Sequence, residues 1–240
     1  MSTEWILGAV VVAVASFVHG LAGFGIGLVS LAFLPFVMSP VTAVVLMTIY
    51  TVVFSLGMLV PLRRDVDLRA FVLLGAGTVA GTPIGVWTLA ALPATVLTRL
   101  IGLALIGIVA LEWLGFYPQR LAGHRWAVGA GMLAGIAGGA VGTPGPPVIL
   151  YMASQRWSPR RVKATLQAFV LVNQAVILAG YWWAGLLTAE VWRTTVMFFA
   201  PAAVALVLGV GLFNRVDQLR FRRIVFAVLF VAGVVLLVRG

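Results

Sequence analysis

Long apolar segments separated by short polar breaks organise this chain. They fall at about residues 5–20, 24–38, 41–60, 70–91, 97–115, 126–139, 144–154, 163–183, 191–213 and 221–238. Between Trp5 and Leu62 there is no Asp, Glu, Lys or Arg. One bilayer crossing takes about 20 apolar residues, so that run holds at least two segments. The breaks carry helix-ending or turn-forming residues: Ser39-Pro40, Arg63-Arg64-Asp65, Pro93, Tyr117-Pro118, Ser158-Pro159, Gly185 and Asn214-Arg215. The pattern predicts an all-α polytopic membrane protein with about eight to ten transmembrane or half-membrane helices. The pairs 5–20/24–38 and 126–139/144–154 are short for full spans. Tilted helices, re-entrant hairpins and broken helices all fit them.

The second half repeats the first. Gly20-Leu21-Ala22-Gly23-Phe24-Gly25-Ile26-Gly27 matches Gly135-Ile136-Ala137-Gly138-Gly139-Ala140-Val141-Gly142 at an offset of 115, and the second copy continues into Thr143-Pro144-Gly145-Pro146-Pro147. Ser39-Pro40 then aligns with Ser158-Pro159, and Gly85 and Arg99-Leu100 with Gly209 and Arg223-Ile224. Residues 1–115 are thus read as a first repeat, 116–125 as a linker and 126–240 as a second repeat, within one membrane domain. Gly/Pro-interrupted helices at matching positions of two halves point to a transporter's binding site. An unwound backbone inside a bilayer has to line protein or a wet cavity.

Composition narrows the classes. The chain is 62% hydrophobic and 9% charged, too apolar for a soluble domain of 240 residues. Its net charge of +10 does not imply nucleic acid, because the basic residues lie in short loops and no soluble basic domain exists. Without cysteine there is no disulfide framework, thiolate metal site or cysteine nucleophile, and His19 and His124 are too far apart in sequence to suggest a metal cluster. No cofactor is expected. The first segment lacks a basic leader region, carries Glu4 and stays apolar far past any cleavage site, so it is expected to be a retained helix.

The loop charges orient the chain. If the 63–69 loop is cytoplasmic, and 126–154 crosses an even number of times, 13 of the 16 basic residues share that side. Only Arg99, Arg193 and Arg239 lie opposite. Ser39-Pro40 then lies outside and Ser158-Pro159 inside, so the two repeats are inverted, and both termini face out. The expected location is the cell inner membrane, multi-pass.

These residues resemble the TauE/SafE family of sulfite exporters. The resemblance lies in the two glycine motifs, the Ser158-Pro159-Arg160-Arg161-Val162-Lys163-Ala164-Thr165-Leu166 segment and the late glycine pattern before Arg99 and Arg223, over about residues 5–238. It implies a bacterial or archaeal permease for small anions such as sulfite or organosulfonates, working by alternating access. An anion channel, or a non-transporting subunit or enzyme of a larger complex, remains the alternative. The enzyme reading lacks a metal motif or a nucleophile–base set. The partners expected are a small anion (sulfite, sulfonate or carboxylate) and the lipid bilayer; homo-oligomerisation is open.

The candidate substrate-binding residues are Gly23, Phe24, Gly25, Gly27, Gly138, Gly139, Gly142, Thr143, Pro144 and Gly145, with Asn173 and Gln174. Helix N-termini at the two breaks would offer N–H groups and a partial positive charge to an anion, with no buried Arg or Lys. The two motifs are expected to face each other across one central site. Tight helix packing is the competing reading of the glycines, and it is preferred for Gly77, Gly81 and Gly85. Asn173 and Gln174 are polar groups at membrane depth, where they are expensive; interhelical hydrogen bonding is the competing role. His19 is either a proton or anion contact or a histidine satisfied by a carbonyl. Asp65 and Asp67 are expected to pair with Arg63, Arg64 or Arg69, and Glu112 to meet interfacial water or Arg120. Arg156, Arg160, Arg161 and Lys163 would either steer anions or anchor topology.

Overall fold

A computed structural model describes residues 3–22, 25–115, 123–155, 157–212 and 215–239. Gly23, Phe24, the Tyr117-Pro118 break, Arg120, Arg156 and Asn214 lie outside the described residues. Among those described there are ten α-helices and no strand: α1 Thr3–Ala22, α2 Ile26–Phe33, α3 Pro40–Leu59, α4 Leu68–Ala91, α5 Ala94–Trp113, α6 His124–Val141, α7 Gly145–Ala153, α8 Pro159–Trp183, α9 Ala189–Leu212 and α10 Gln218–Arg239. Six helical stretches, in α3, α4, α5, α8, α9 and α10, are long and apolar enough to cross a membrane.

The polar breaks work as helix caps. Ser39 Oγ accepts from Thr42 N–H at 3.1 Å, and its aligned counterpart Ser158 accepts from Arg161 N–H at 3.3 Å. The proline after each serine occupies a first-turn position that needs no donor. Asp67, Thr188 and Asp217 start α4, α9 and α10 likewise, accepting from Ala70, Val191 and Arg220.

Both glycine motifs are out-and-back hairpins. A Cβ on Gly8 of α1 would meet Met38 Cε at 3.4 Å, so the start of α1 lies beside the chain leaving α2. In the second hairpin Ala127, at the start of α6, shares an apolar cluster with Val148, Tyr151 and Met152 of α7. Each return limb, of 8 or 9 residues, is roughly 12–14 Å long, well short of a hydrocarbon core of about 30 Å.

The helices gather into two compact units that interleave the halves. One comprises Met1–Met47, Leu92–Leu114 and Leu187–Gly240; the other Thr48–Ala91 and Gly115–Leu186. In the first, α1 runs parallel to α9, with Gly20 against the backbone of Leu206, Gly209 and Val210, and Gly209 against Phe17 and Leu21. In the second, α6 runs parallel to α4. Gly131 packs on Leu74, Gly135 on Thr78, Gly81 and Thr82, and Gly139 on Gly85 and Val86. A Cβ on Gly135 would lie 2.6 Å from the Thr78 carbonyl oxygen, so only glycine allows this approach. Each aligned glycine thus packs on a glycine of the other half. Gly20 meets Gly209, and Gly135 meets the stripe that ends in Gly85.

Candidate functional site

The break between α6 and α7 is built from residue chemistry alone. Gly142 has φ 66°, the left-handed conformation that glycine tolerates best, and its N–H donates to Gly138 O at 2.9 Å, capping α6. Thr143 N–H reaches Ala137 O at 3.3 Å, and Pro144 turns the chain into α7. Of the first three residues of α7, Pro146 and Pro147 carry no N–H, so only Gly145 offers a donor. The first-half break differs. Gly25, at φ 105°, precedes α2, whose first turn keeps the N–H groups of Ile26, Gly27 and Leu28. The two breaks differ in donor number.

Asn173 reaches the second break from α8. It is fully buried; its Nδ2 donates to Thr78 Oγ1 at 3.1 Å, and Thr78 Oγ1 donates to Gly131 O at 3.2 Å. Its Oδ1 has no hydrogen-bond partner and is turned towards Gly138, where a Cβ would meet Asn173 Oδ1 at 3.2 Å, Pro144 Cβ at 3.1 Å and Ile177 Cδ1 at 2.7 Å. Tyr181, two turns after Asn173, donates its hydroxyl to Gly139 O at 2.7 Å and lies 3.4 Å from Gly138 O. The Gly139 carbonyl at the end of α6, past the last helical donor, is thus satisfied by a side chain.

Of the residues expected at the site, Gly138, Pro144 and Asn173 come together, Gly142 and Thr143 form the adjoining turn, and Gly145 starts α7. Gly139 faces α4 through its α-carbon, and its carbonyl meets Tyr181. Gln174 is buried on α8, with Oε1 unpartnered. Gly25, Gly27 and His19 belong to the other unit, and His19 is buried within α1. Thr78 and Tyr181 were missed. Asn173, Ile177 and Tyr181 recur at helical spacing on one face of α8, which was a readable signal.

The charged end of this unit departs from expectation. Asp65 pairs with Arg160 at 2.9 Å and Asp67 with Arg161, rather than with Arg63, Arg64 or Arg69. Asp67 uses one oxygen to cap α4, and its N–H donates to Thr165 Oγ1 at 2.9 Å, which turns its other oxygen towards α8. Arg69 meets His124. The starts of α4, α6 and α8 therefore lie at one end of the unit. Glu112 pairs with Arg222 at 2.7 Å; its expected partner Arg120 lies outside the described residues. With Arg160 and Arg161 neutralised, the basic tract of α8 is a weaker anion collector than its sequence suggests.

Burial works to raise the Asp67 carboxyl, but the Ala70 N–H and the Arg161 guanidinium outweigh it and hold the group below its ordinary value. The native state then binds fewer protons than the unfolded chain, so this contribution to stability rises with pH. Asp67→Asn keeps the cap and loses the charge. In thermal melts it is expected to cost about 1 kcal/mol at most at neutral pH, because Arg161 is half exposed. The deficit should persist above the usual Asp value of about 3.9 and close as pH falls through the lower folded value. A deficit unchanged at low pH would refute the ion pair as its source.

Six spanning stretches and two half-length return limbs define a multi-pass integral membrane protein. The chain matches the family described as Sulfite exporter TauE/SafE over residues 8–236 and belongs to that family of membrane transporters. No curated protein and no solved structure matches it.

Proposed function

We propose that this protein exports small oxyanions, sulfite or organosulfonates, across the cell inner membrane, with the α6–α7 break and Asn173 as its binding site. The observation that carries the site is the buried, unpartnered Oδ1 of Asn173 against Gly138 at a helix break. A buried polar atom without a partner is costly, and such groups mark sites where a ligand or water completes the bonding. The Thr78 hydroxyl can accept from the Asn173 amide or donate to it. Turning the amide over while Thr78 switches role directs Nδ2 at an oxyanion; the present orientation suits a protonated one such as hydrogen sulfite. Gly145 N–H and the α7 dipole add donor character without a cationic side chain. In this reading the Arg-rich end of the second unit is cytoplasmic, both termini face outward, and inverted repeats alternate access to the site.

Purified protein in liposomes is expected to move sulfite or a small sulfonate with saturation. Folded protein that moves none of a panel of small anions would refute the proposal.

Export also needs no coupling ion. All six carboxylates of the chain, Glu4, Asp65, Asp67, Glu112, Glu190 and Asp217, lie at or near helix ends. An inside-negative potential does work on each exported charge of about 2.3 kcal/mol per 100 mV, roughly a 50-fold gradient for a monoanion. A potassium diffusion potential should therefore drive efflux in proportion to the charge carried. Efflux indifferent to potential but responsive to a pH gradient would overturn this uncoupled scheme.

A further inference from the structure

We infer that the first compact unit carries a binding site for one anionic phospholipid, its acyl chain lying along α10 and its phosphate at Arg239. A groove of about 480 Å³ is lined by Phe33 and Phe36, on and just after α2, and by Ala227, Val231, Ala232 and Val235 of α10. Every lining side chain is apolar. Ala227, Val231, Val235 and Arg239 follow one another at four-residue intervals, so they form one ridge of the helix. Ala227 and Ala232 leave the depth that larger residues would fill.

The groove runs about 12 Å along α10, two turns and more. At its Arg239 end the helix closes with the guanidinium 5.7 Å over the ring of Phe36, a residue that also lines the groove. Arg239 ends a membrane-spanning helix, so it sits at headgroup depth while the groove descends into the acyl region. An apolar slot below a cation is complementary to a phospholipid with a net negative headgroup. It fits a second copy of the chain less well. A two-fold axis along the membrane normal would set both Arg239 side chains at the same depth, and among the described residues no carboxylate lines the groove to offset them. A stable dimer also needs about 800 Å² from each partner, more than a slot of this length supplies.

The test is native mass spectrometry of the full-length protein, delipidated in detergent and titrated with phosphatidylglycerol or with phosphatidylcholine of the same acyl chains. Wild type should show one saturable phosphatidylglycerol adduct and bind phosphatidylcholine more weakly. Ala227→Trp, which fills the groove from its exposed side, should lose the adduct. Arg239→Gln, at an exposed position, should keep the fold and bind phosphatidylglycerol about fivefold more weakly, with phosphatidylcholine unchanged. Equal affinity for the two lipids in wild type, or an undiminished adduct in folded Ala227→Trp, would overturn the inference. So would a two-chain species that Ala227→Trp abolishes.

Discussion

Gly131→Ala in α6 is expected to abolish recovery of folded protein, whereas Gly129→Ala, two residues earlier, leaves it intact. A Cβ on Gly131 would run into the carbonyl oxygen of Leu74 and come within 2.8 Å of its carbon. What it meets is the backbone of α4, which cannot swing aside as a side chain could. The helices would have to part, and parting them also undoes the contacts of Gly135 with Thr78 and of Gly139 with Gly85. In a bilayer the attraction between helices comes largely from close packing rather than from expelled water, so lost contact has little to replace it. Overpacking typically costs about 1–3 kcal/mol and occasionally more; a backbone clash in the middle of a parallel crossing belongs at the upper end. A Cβ on Gly129 has nothing within 4 Å, and alanine there gains up to about 1 kcal/mol of helix propensity. Size-exclusion yield and melting temperature in detergent read both variants. Wild-type behaviour of Gly131→Ala would show that the α4–α6 crossing is looser than described. The reciprocal pair Gly20→Ala and Gly209→Ala should fail in the same way in the other unit, since each meets a carbonyl oxygen of the facing helix.

The helices were legible because their limits are set locally. Charges and capping residues interrupt a chain that is otherwise uniformly apolar, and Ser39, Asp67 and Ser158 act where they stand. How the halves interleave was not legible. The partner of Gly20 is decided by shape, and Gly209 is one of many small residues that could have matched it. Ion pairs failed similarly. Asp65 and Asp67 have three arginines within a few residues, yet bond to Arg160 and Arg161, 95 and 94 positions on. Capping α4 fixes the direction of Asp67, and that direction is a tertiary fact. The donor difference between the breaks is present in the sequence, because Pro146 and Pro147 cannot donate, although as glycine motifs the two look like equal donors. Asn173 stood out as a polar residue in mid-helix. Its orientation towards Gly138, and the role of Tyr181, depend on how α8 is rotated against α6.

Asn173→Ala is expected to reduce anion transport about 10- to 100-fold with little change in stability. The truncation removes one interhelical hydrogen bond, to Thr78, of a kind that averages about 0.6 kcal/mol in membranes. It also removes an unpartnered buried oxygen, which offsets part of that loss. Folded yield and melting temperature should therefore stay near wild type. A hydrogen bond to a charged ligand is worth about 1.5–3 kcal/mol, which sets the expected loss of transport. Thr78→Val separates the two roles of the asparagine. It deletes the interhelical partner and leaves the Asn173 amide in place, so transport should fall less than in Asn173→Ala even where stability falls as far. Gly138→Ala adds a third arm. Its Cβ meets side chains, the flexible end of Ile177, Pro144 Cβ and the Asn173 oxygen, rather than the backbone of α4, so the protein should fold with the proposed site obstructed. Equal transport by wild type and Asn173→Ala, at matched reconstitution and with a lowered melting temperature for the variant, would reduce Asn173 to a tie between helices. The proposed anion site would then have to be sought at the other break, where α2 keeps all three of its first N–H groups.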